Sequence, residues 1–430
     1  MNLSLTNSDP PRFDNPEPPL RWLSLKHEQR GPEQGQCVVD ALGLGAQHPD
    51  ALVTCRRVDT DVREIQIERN EDPVFCLRGI EDTRVGKLKK RIWDASDKEI
   101  DQILADYEIP SPSELAKPGT YIQTTIRKHV VENRKKNDIL FVPIGCTELH
   151  GIHTVTALDT FMVTQLLEGV RRFTAKKGAP VNLTWTPLNF GGHPHHHVGM
   201  PGTIHLEDEV LKKMLIDVMV GFWNDGFRKI VLINNHGHSW LLEAAIQELQ
   251  KTWNLPGIFR TIDWHRAVRE FFRTKARGGD WDDDFVHADE AETSVMLLLA
   301  KEYVEMSYAQ ETTVTPYLPD GHFDKAVDPF GRPSRWSEGQ GHFPTEMGSI
   351  PEGVVGRPTI GTAQKAKRTI AAILSYLTLV HDELLEAFPS GKLPPIEKTT
   401  MRTEEEMVPY LKEPFTPGWR PIYAIRKMGL

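Results

Sequence analysis

The sequence predicts a three-layer α/β/α protein with a mostly parallel central sheet and an N-terminal extension. Two observations carry this. From about residue 120 onward, short apolar runs of strand length alternate four times with longer segments whose apolar residues recur at helical spacing, the pattern of a parallel sheet flanked by helices. The first of those runs, DILFVPIG (138–145), is apolar almost throughout, as a strand covered on both faces must be.

Taken in order, the first 20 residues are rich in Pro, Asn and Asp and read as extended chain. Between about 20 and 115 the pattern is mixed: VREIQIE (62–68) alternates like a half-buried strand, and DKEIDQILADYEI (97–109) places Ile100, Ile103, Leu104 and Tyr107 at helical spacing. No catalytic motif stands in this segment. It reads as a structural or oligomer-contact extension, with a substrate lid as the alternative. After the strand at 138–145 comes a helix over 160–178, with Phe161, Val163, Leu166, Leu167, Val170 and Phe173 on one face and Gly178 as its stop. VNLTWTPLNF (181–190) reads as a strand, 207–226 as a helix, RKIVLINNHG as a strand and WLLEAAIQELQKTW as a helix. GIFRTIDWH then reads as a strand, and DEAETSVMLLLAKEYV as the last helix of the set. The expected division is an extension over 1–115, a catalytic domain over 116–390 and a C-terminal tail over 391–430.

Composition narrows the function. The chain has 430 residues, 39% of them hydrophobic and 26% charged, with a formal charge of −9, which is globular and does not favour a nucleic-acid partner. Its four cysteines contain no C-x-x-C pair and make no disulfide framework, which points to a reducing compartment. The N-terminus lacks the basic and apolar regions of a signal peptide. The longest apolar-rich run, TIAAILSYLTLV (369–380), is too short to span a bilayer. A cytoplasmic protein with no membrane partner is expected.

In a parallel sheet of this kind, ligands bind outside the carboxyl ends of the strands. The four loops that follow the strands, CTELHGIH, GGHPHHHVG, NNHGHSW and DWH, all carry histidine. In GCTELHGIHTVTALDT (145–160), Glu148 and His150 stand two apart directly after a buried strand, so in extended chain both side chains point the same way. A solvated loop is the alternative for that pair, and a helix N-cap is the alternative for Asp159. His236 lies at a neighbouring strand end, where a third ligand would come from, with a structural histidine as the alternative. HADEAETS (287–294) offers His287, Glu290 and Glu292, where an acidic helix N-terminus is the plain alternative. Glu148, His150, Asp159, His236 and Glu292 together suit divalent Zn, Mn or Fe, and an aspartate bridging two such ions is a common hydrolytic arrangement.

These segments also resemble a known family. PIGCTELHGIHTVTALDT is similar to the creatininase-family pattern P-x-G-S-x-E-Q-H-G-x-H-L-P-x-x-T-D-T, and HHHVGMPGTIHL is similar to H-x-x-F-P-G-T. NNHGHS stands where the family has N-G-H-G-G-N, HADEAETSVML resembles H-A-G-x-x-E-T-S, and GVVGRPTIGTAQKAKRTI (353–370) resembles the closing G-x-x-G-D-P-x-x-A-T stretch. The resemblance runs over roughly 120 to 385 and leaves residues 1 to about 115 uncovered. It implies a creatininase-like α/β/α fold, a homo-oligomer and two divalent ions per chain, zinc or manganese. By position, Glu148 and His236 would hold one ion and His150 and Glu292 the other, with Asp159 bridging. His287 matches the family histidine that passes a proton to the leaving group. Glu290 falls on a variable position, which favours Glu292.

The departures are His238 where creatininase has a glutamate, Asn235 and Asp289 at family glycines, and Ser239 at the usual asparagine. They imply a more polar site and a substrate other than creatinine. Of the histidine-rich loop only His197 matches a motif position, so His193, His195 and His197, with His238 and Trp264, are expected beside the metals, toward the substrate, with adventitious surface metal binding as the alternative for the loop. His265 and Trp281 are further candidate pocket walls, with core packing as the alternative for the tryptophans.

The expected activity is hydrolysis of a small, polar, cyclic carbonyl compound by a metal-held hydroxide, with His287 as the acid. Within the family resembled, the length, the N-terminal extension and the polar, histidine-rich loop are most similar to the members that cleave a ring diketone derived from inositol, which implies an oxidised inositol of the 3-dehydro-scyllo-inosose type. A creatinine-like cyclic amide is the alternative substrate, and a metal-binding scaffold without turnover the alternative class. A complete HADEAETS with its histidine speaks against the scaffold.

Overall fold

The computed structural model describes residues 83–109, 121–193, 197–283, 285–312 and 352–428, and the backbone of four strands nearer the N-terminus. Those strands are β1 (Ser4–Leu5), β2 (Ser24–Lys26), β3 (Ala51–Arg57) and β4 (Val62–Arg69). They form an antiparallel sheet in the order β1-β2-β4-β3. The alternation read at 62–68 is thus the strand β4.

Two helices follow, α1 (Arg84–Asp94) and α2 (Asp97–Tyr107). Ser96 and Glu99 form a reciprocal capping box at the start of α2, which satisfies two backbone N–H groups that would otherwise lack partners. After α3 (Arg127–Lys136) comes β5 (Ile139–Ile144), then α4 (Leu158–Lys176), β6 (Asn182–Leu183) and α5 (Asp208–Asn224). The order continues with β7 (Lys229–Asn234), α6 (Ser239–Thr252), β8 (Ile258–Asp263), α7 (Glu290–Leu299), α8 (Ala363–Ala387) and α9 (Glu404–Leu411).

The second sheet is wholly parallel, in the order β6-β5-β7-β8. Its residues alternate between two cores, as the strand period of two requires. Ile139, Phe141, Val231 and Ile233 face a cluster built with α4, α7 and α8. Leu140, Val142, Ile144, Ile230 and Leu232 face a second cluster built with α5 and α6. This is the three-layer fold the apolar runs predict. The segments outside the alternation join the same cores: Ile92, Ile100 and Tyr107 lie buried in the first cluster, and Met407, Tyr410, Ile422 and Ile425 in the second. The strand read over 181–190 is shorter than expected. Its ladder stops at Leu183, and the chain returns to the β5 edge at Leu188, whose N–H donates to the Pro143 carbonyl at 3.0 Å.

Strand order positions the site. From β5 the chain moves to β6 on one side, then crosses back to β7 on the other, so the crevice above β5 and β7 is the switch point where ligands bind in such sheets. The register pairs Ile144 with Asn234 and Asn234 with Asp263, which brings three strand ends level. Gly145 lets the chain leaving β5 touch the start of α4: a Cβ there would lie 2.5 Å from the Thr160 N and Cα. Among the described residues, no helix is long and apolar enough to cross a membrane.

Candidate metal centre

Cys146, Glu148 and His150 leave β5 at alternate positions, and all three are buried. Asp159 sits in the first turn of α4 but does not cap it, because the cap residue is Ala157. Its carboxylate turns toward His150 and His236 instead. His236 follows β7. Glu292 lies in the first turn of α7, whose cap is the Asp289 side chain, accepting from the Ala291 and Glu292 N–H groups at 2.7 and 3.0 Å. Asp289 therefore serves the helix end.

The five positions singled out in the sequence converge. His150 Nε2 stands 3.8 Å from Glu148 Oε2, 3.7 Å from Asp159 Oδ1 and 3.7 Å from Glu292 Oε2. His236 Nδ1 is 3.1 Å from Glu148 Oε2 and 3.2 Å from Asp159 Oδ2. Two ligand atoms on one tetrahedral ion, each about 2.0–2.1 Å from it, stand about 3.4 Å apart, so these separations are of ligand type. Glu290 points elsewhere: its Oε2 accepts from the N–H groups of Asp282 and Asp283, both at 2.8 Å, and its other oxygen pairs with Lys365.

The tautomers test whether a cation fits. His236 Nε2 donates to the Gly192 carbonyl at 3.0 Å, and His150 Nδ1 donates to the Glu148 carbonyl at 3.1 Å. Each neutral ring then aims a lone pair at carboxylate oxygens, which is repulsive unless positive charge lies between them. Backbone carbonyls fixing the far nitrogen are the usual support of metal-bound imidazoles. The donor set fits a divalent metal.

The electrostatics express the same demand. Burial pulls the His236 imidazolium down, but Glu148 and Asp159 outweigh it and hold its pKa up at about 10. Burial raises the Glu148 carboxyl, yet His197, His236 and His287 bring it well below the usual range. Burial, with Asp289 and Asp159 beside it, pushes Glu292 well up. His287 is held neutral, first by burial and then by the nearby His150 and His197 rings.

His287 is 5% exposed, and its ring centroid lies 4.3 Å from those of His150 and His197. Its Nε2 donates to the Leu149 carbonyl at 2.7 Å, which leaves Nδ1 as the free lone pair. Of the histidine-rich loop, His193 and His197 both reach Glu148: His193 Nδ1 is 3.2 Å from Oε1, and His197 Nδ1 contacts the same oxygen. His195 lies outside the described residues. His238 is wholly buried behind His236, ring centroids 4.6 Å apart, against Gly191, where a Cβ would meet its Nδ1 at 2.8 Å. Trp264 and Trp281 belong to the first core cluster. The Trp264 and His265 N–H groups both donate to Asn235 Oδ1, and the Asn235 amide in turn donates to Asp159 Oδ1 at 3.1 Å.

Cys146 is the group the sequence did not single out. Its Sγ donates to Asp159 Oδ2 at 3.0 Å. The signal was present, because Cys146 precedes Glu148 and His150 in the same alternation. His193 stood among the substrate-side residues, but its ring nitrogen falls within 4.8 Å of ligand atoms of Cys146, Glu148 and His236.

Comparison with known proteins agrees with these motifs. The model of the creatininase family, described as creatinine amidohydrolase, matches residues 124–380. The 3-dehydro-scyllo-inosose hydrolase of Thermotoga maritima is 41% identical over 306 residues, spanning 71% of this chain and 96% of that protein. The mycofactocin precursor peptide peptidase of Mycobacterium ulcerans is 25% identical over 246 residues, 55% of this chain and 81% of that one. Among solved structures, a manganese creatininase aligns over 64% of this chain and 100% of its own, with 19% identity and a TM-score of 0.47.

Proposed function

The chain belongs to the creatininase family, and from that premise we propose that it is a metal-dependent hydrolase opening the ring of an oxidised inositol of the 3-dehydro-scyllo-inosose type. The observation that carries this reading is 41% identity across nearly the whole length of a relative with that activity. The buried cluster supports it, because its donor set suits divalent ions.

In this reading Glu148 and His236 would hold one ion and His150 and Glu292 the other, with the Asp159 carboxylate available to both. Bound there, zinc or manganese supplies Lewis-acid polarisation of a ring carbonyl and an acidified water. The chain's own groups do the rest. Asn235 holds Asp159 in place from behind, and the Gly192 and Glu148 carbonyls fix the tautomers of His236 and His150. His287, kept neutral, takes a proton on Nδ1 and returns it to the departing atom. For a ring 1,3-diketone the bookkeeping closes with one water. A C–O bond forms at one carbonyl carbon, and the C–C bond to the carbon between the two carbonyls breaks. Its electron pair forms an enolate with the second carbonyl, and a proton returns to that carbon. The product is an open-chain keto acid.

The test combines two measurements on dialysed protein. Elemental analysis is expected to find about two divalent ions per chain, and incubation with an oxidised cyclitol is expected to yield a keto acid and no new amine. Preferential release of an amine or ureido group from cyclic amides would move the substrate to the C–N class. Absence of metal, with no activity regained on adding zinc or manganese, would sink the reading altogether.

A further inference from the structure

We propose that Cys146 is a thiolate ligand of the ion at Glu148 and His236, and that His193 completes that position as a second imidazole. The inference rests on the metal-hydrolase reading above and adds two ligands to it. Ligand atoms of Cys146, Glu148, His193 and His236 all lie within 4.8 Å of one another, and all four residues are buried. The sulfur lies 3.0 Å from Asp159 Oδ2 and 3.7 Å from Glu148 Oε2, between the same two carboxylates that His236 Nδ1 faces at 3.2 and 3.1 Å.

His193 has the same arrangement as the other ring ligands. Its Nε2 donates to the Ile204 carbonyl at 3.3 Å, and its Nδ1 lone pair is aimed at Glu148 Oε1, 3.2 Å away. The backbone N–H of His193 donates to His205 Nδ1 at 3.2 Å, which ties the loop down on the side away from the cluster. One sulfur, two imidazole nitrogens and the carboxylate oxygens of Glu148 and Asp159 make a borderline-soft set. Such a set favours zinc, whereas manganese prefers oxygen-rich surroundings. The two positions therefore differ: the Cys146 position selects zinc, and the His150–Glu292 position, with one nitrogen and carboxylates only, accepts harder ions.

The zinc-loaded enzyme is the material for the test. X-ray absorption at the zinc edge is expected to show a sulfur path at about 2.3 Å, about one sulfur per two zinc ions. Cobalt substitution is expected to give a sulfur-to-cobalt charge-transfer band in the near ultraviolet. That band disappears in Cys146→Ser and persists when Cys37, Cys55 and Cys76 are replaced together by serine. In chelator competition, zinc affinity of Cys146→Ser falls by more than the ~10–100-fold that loss of an outer hydrogen-bond partner costs, and manganese affinity changes less. A zinc spectrum with nitrogen and oxygen neighbours alone, on protein that carries about two ions per chain, overturns the thiolate and leaves the hydrolase reading standing. Protein that binds neither zinc nor cobalt overturns both. The absorption measurement needs no variant, so poor folding of Cys146→Ser does not blunt it.

Discussion

His287 keeps its orientation through one nitrogen, donated to the Leu149 carbonyl, while the other faces the cluster. Replacing it by glutamine is expected to leave metal content unchanged and to lower kcat by ~10²–10⁴-fold, the usual contribution of a positioned acid–base group. Elemental analysis beside steady-state kinetics checks this, and full turnover in the variant would remove His287 from proton transfer. Asn235 acts at one remove. Its carbonyl accepts from Trp264 and His265, and its amide holds both the Asp159 side chain and the Asp159 carbonyl, each at 3.1 Å. Asn235→Ala strands the buried Trp264 donor, at about 1–3 kcal/mol, leaves the half-buried His265 N–H without its acceptor, and loosens a carboxylate that faces both metal positions. Metal affinity, read by chelator competition, is expected to fall ~10–100-fold, with most of the activity recovered at high metal concentration. An unchanged affinity would mean that Asp159 keeps its place without Asn235.

Elements were legible in proportion to how strongly their own residues dictate them. The almost wholly apolar run at 138–145 and the spaced apolar face at 160–178 became β5 and α4 within two residues, because burial on two faces or on one leaves few alternatives. The loops carrying the ligands were legible as loops after strands, which places them at one sheet edge. What the sequence does not show is which side chains of different loops meet. Cys146 and His193 lie 47 positions apart, and only the return of the chain over β5 and β7 brings them together. Glu290 and Glu292 could not be separated by helix position alone, and the partners Asp282, Asp283 and Lys365 decide it. Helix α1 shows how a segment outside the regular pattern is fixed. Lys89 pairs with Glu270 at 2.9 Å, with side chains 7% and 5% exposed. Lys89→Met is expected to destabilise the protein by about 3–5 kcal/mol, because it leaves a buried carboxylate alone, while the double variant with Glu270→Leu recovers most of the loss. Denaturant unfolding of the four proteins of that cycle measures it. Additive losses would show that the two side chains do not act as a pair.

At the scale of the whole molecule, the buried histidines set how stability depends on pH, and they pull in opposite directions. His153 is held down to about 4, first by burial and then by the His150 imidazole, whereas an unfolded histidine titrates near ~6.5. Between those values the unfolded chain binds the extra proton, so stability falls as pH drops from about 6.5 through 4. His193, His238 and His287, also lowered by burial first, act in the same direction. His236 is the reverse. With its pKa raised to about 10 by Glu148 and Asp159 against the pull of burial, it contributes stability that is complete below about 6.5 and is lost as pH rises through 10. That loss belongs to the metal-free protein, in which a proton supplies the positive charge the carboxylates require. A bound divalent ion supplies that charge without a proton. Chelated protein is therefore expected to lose at least ~5 °C in Tm between pH 7 and 10, while zinc-loaded protein stays level over that range and melts higher throughout, as any ligand that binds only the folded state requires. Below about 6.5 both forms should lose stability as His153 and the other lowered histidines take up protons, the zinc-loaded protein more steeply because its ligands must be deprotonated to hold the metal, and His153→Gln should make the limb shallower in both. Scanning calorimetry against pH, with and without zinc, separates the two effects. A chelated protein as stable at pH 10 as at pH 7 would mean that His236 does not carry the charge balance of the cluster.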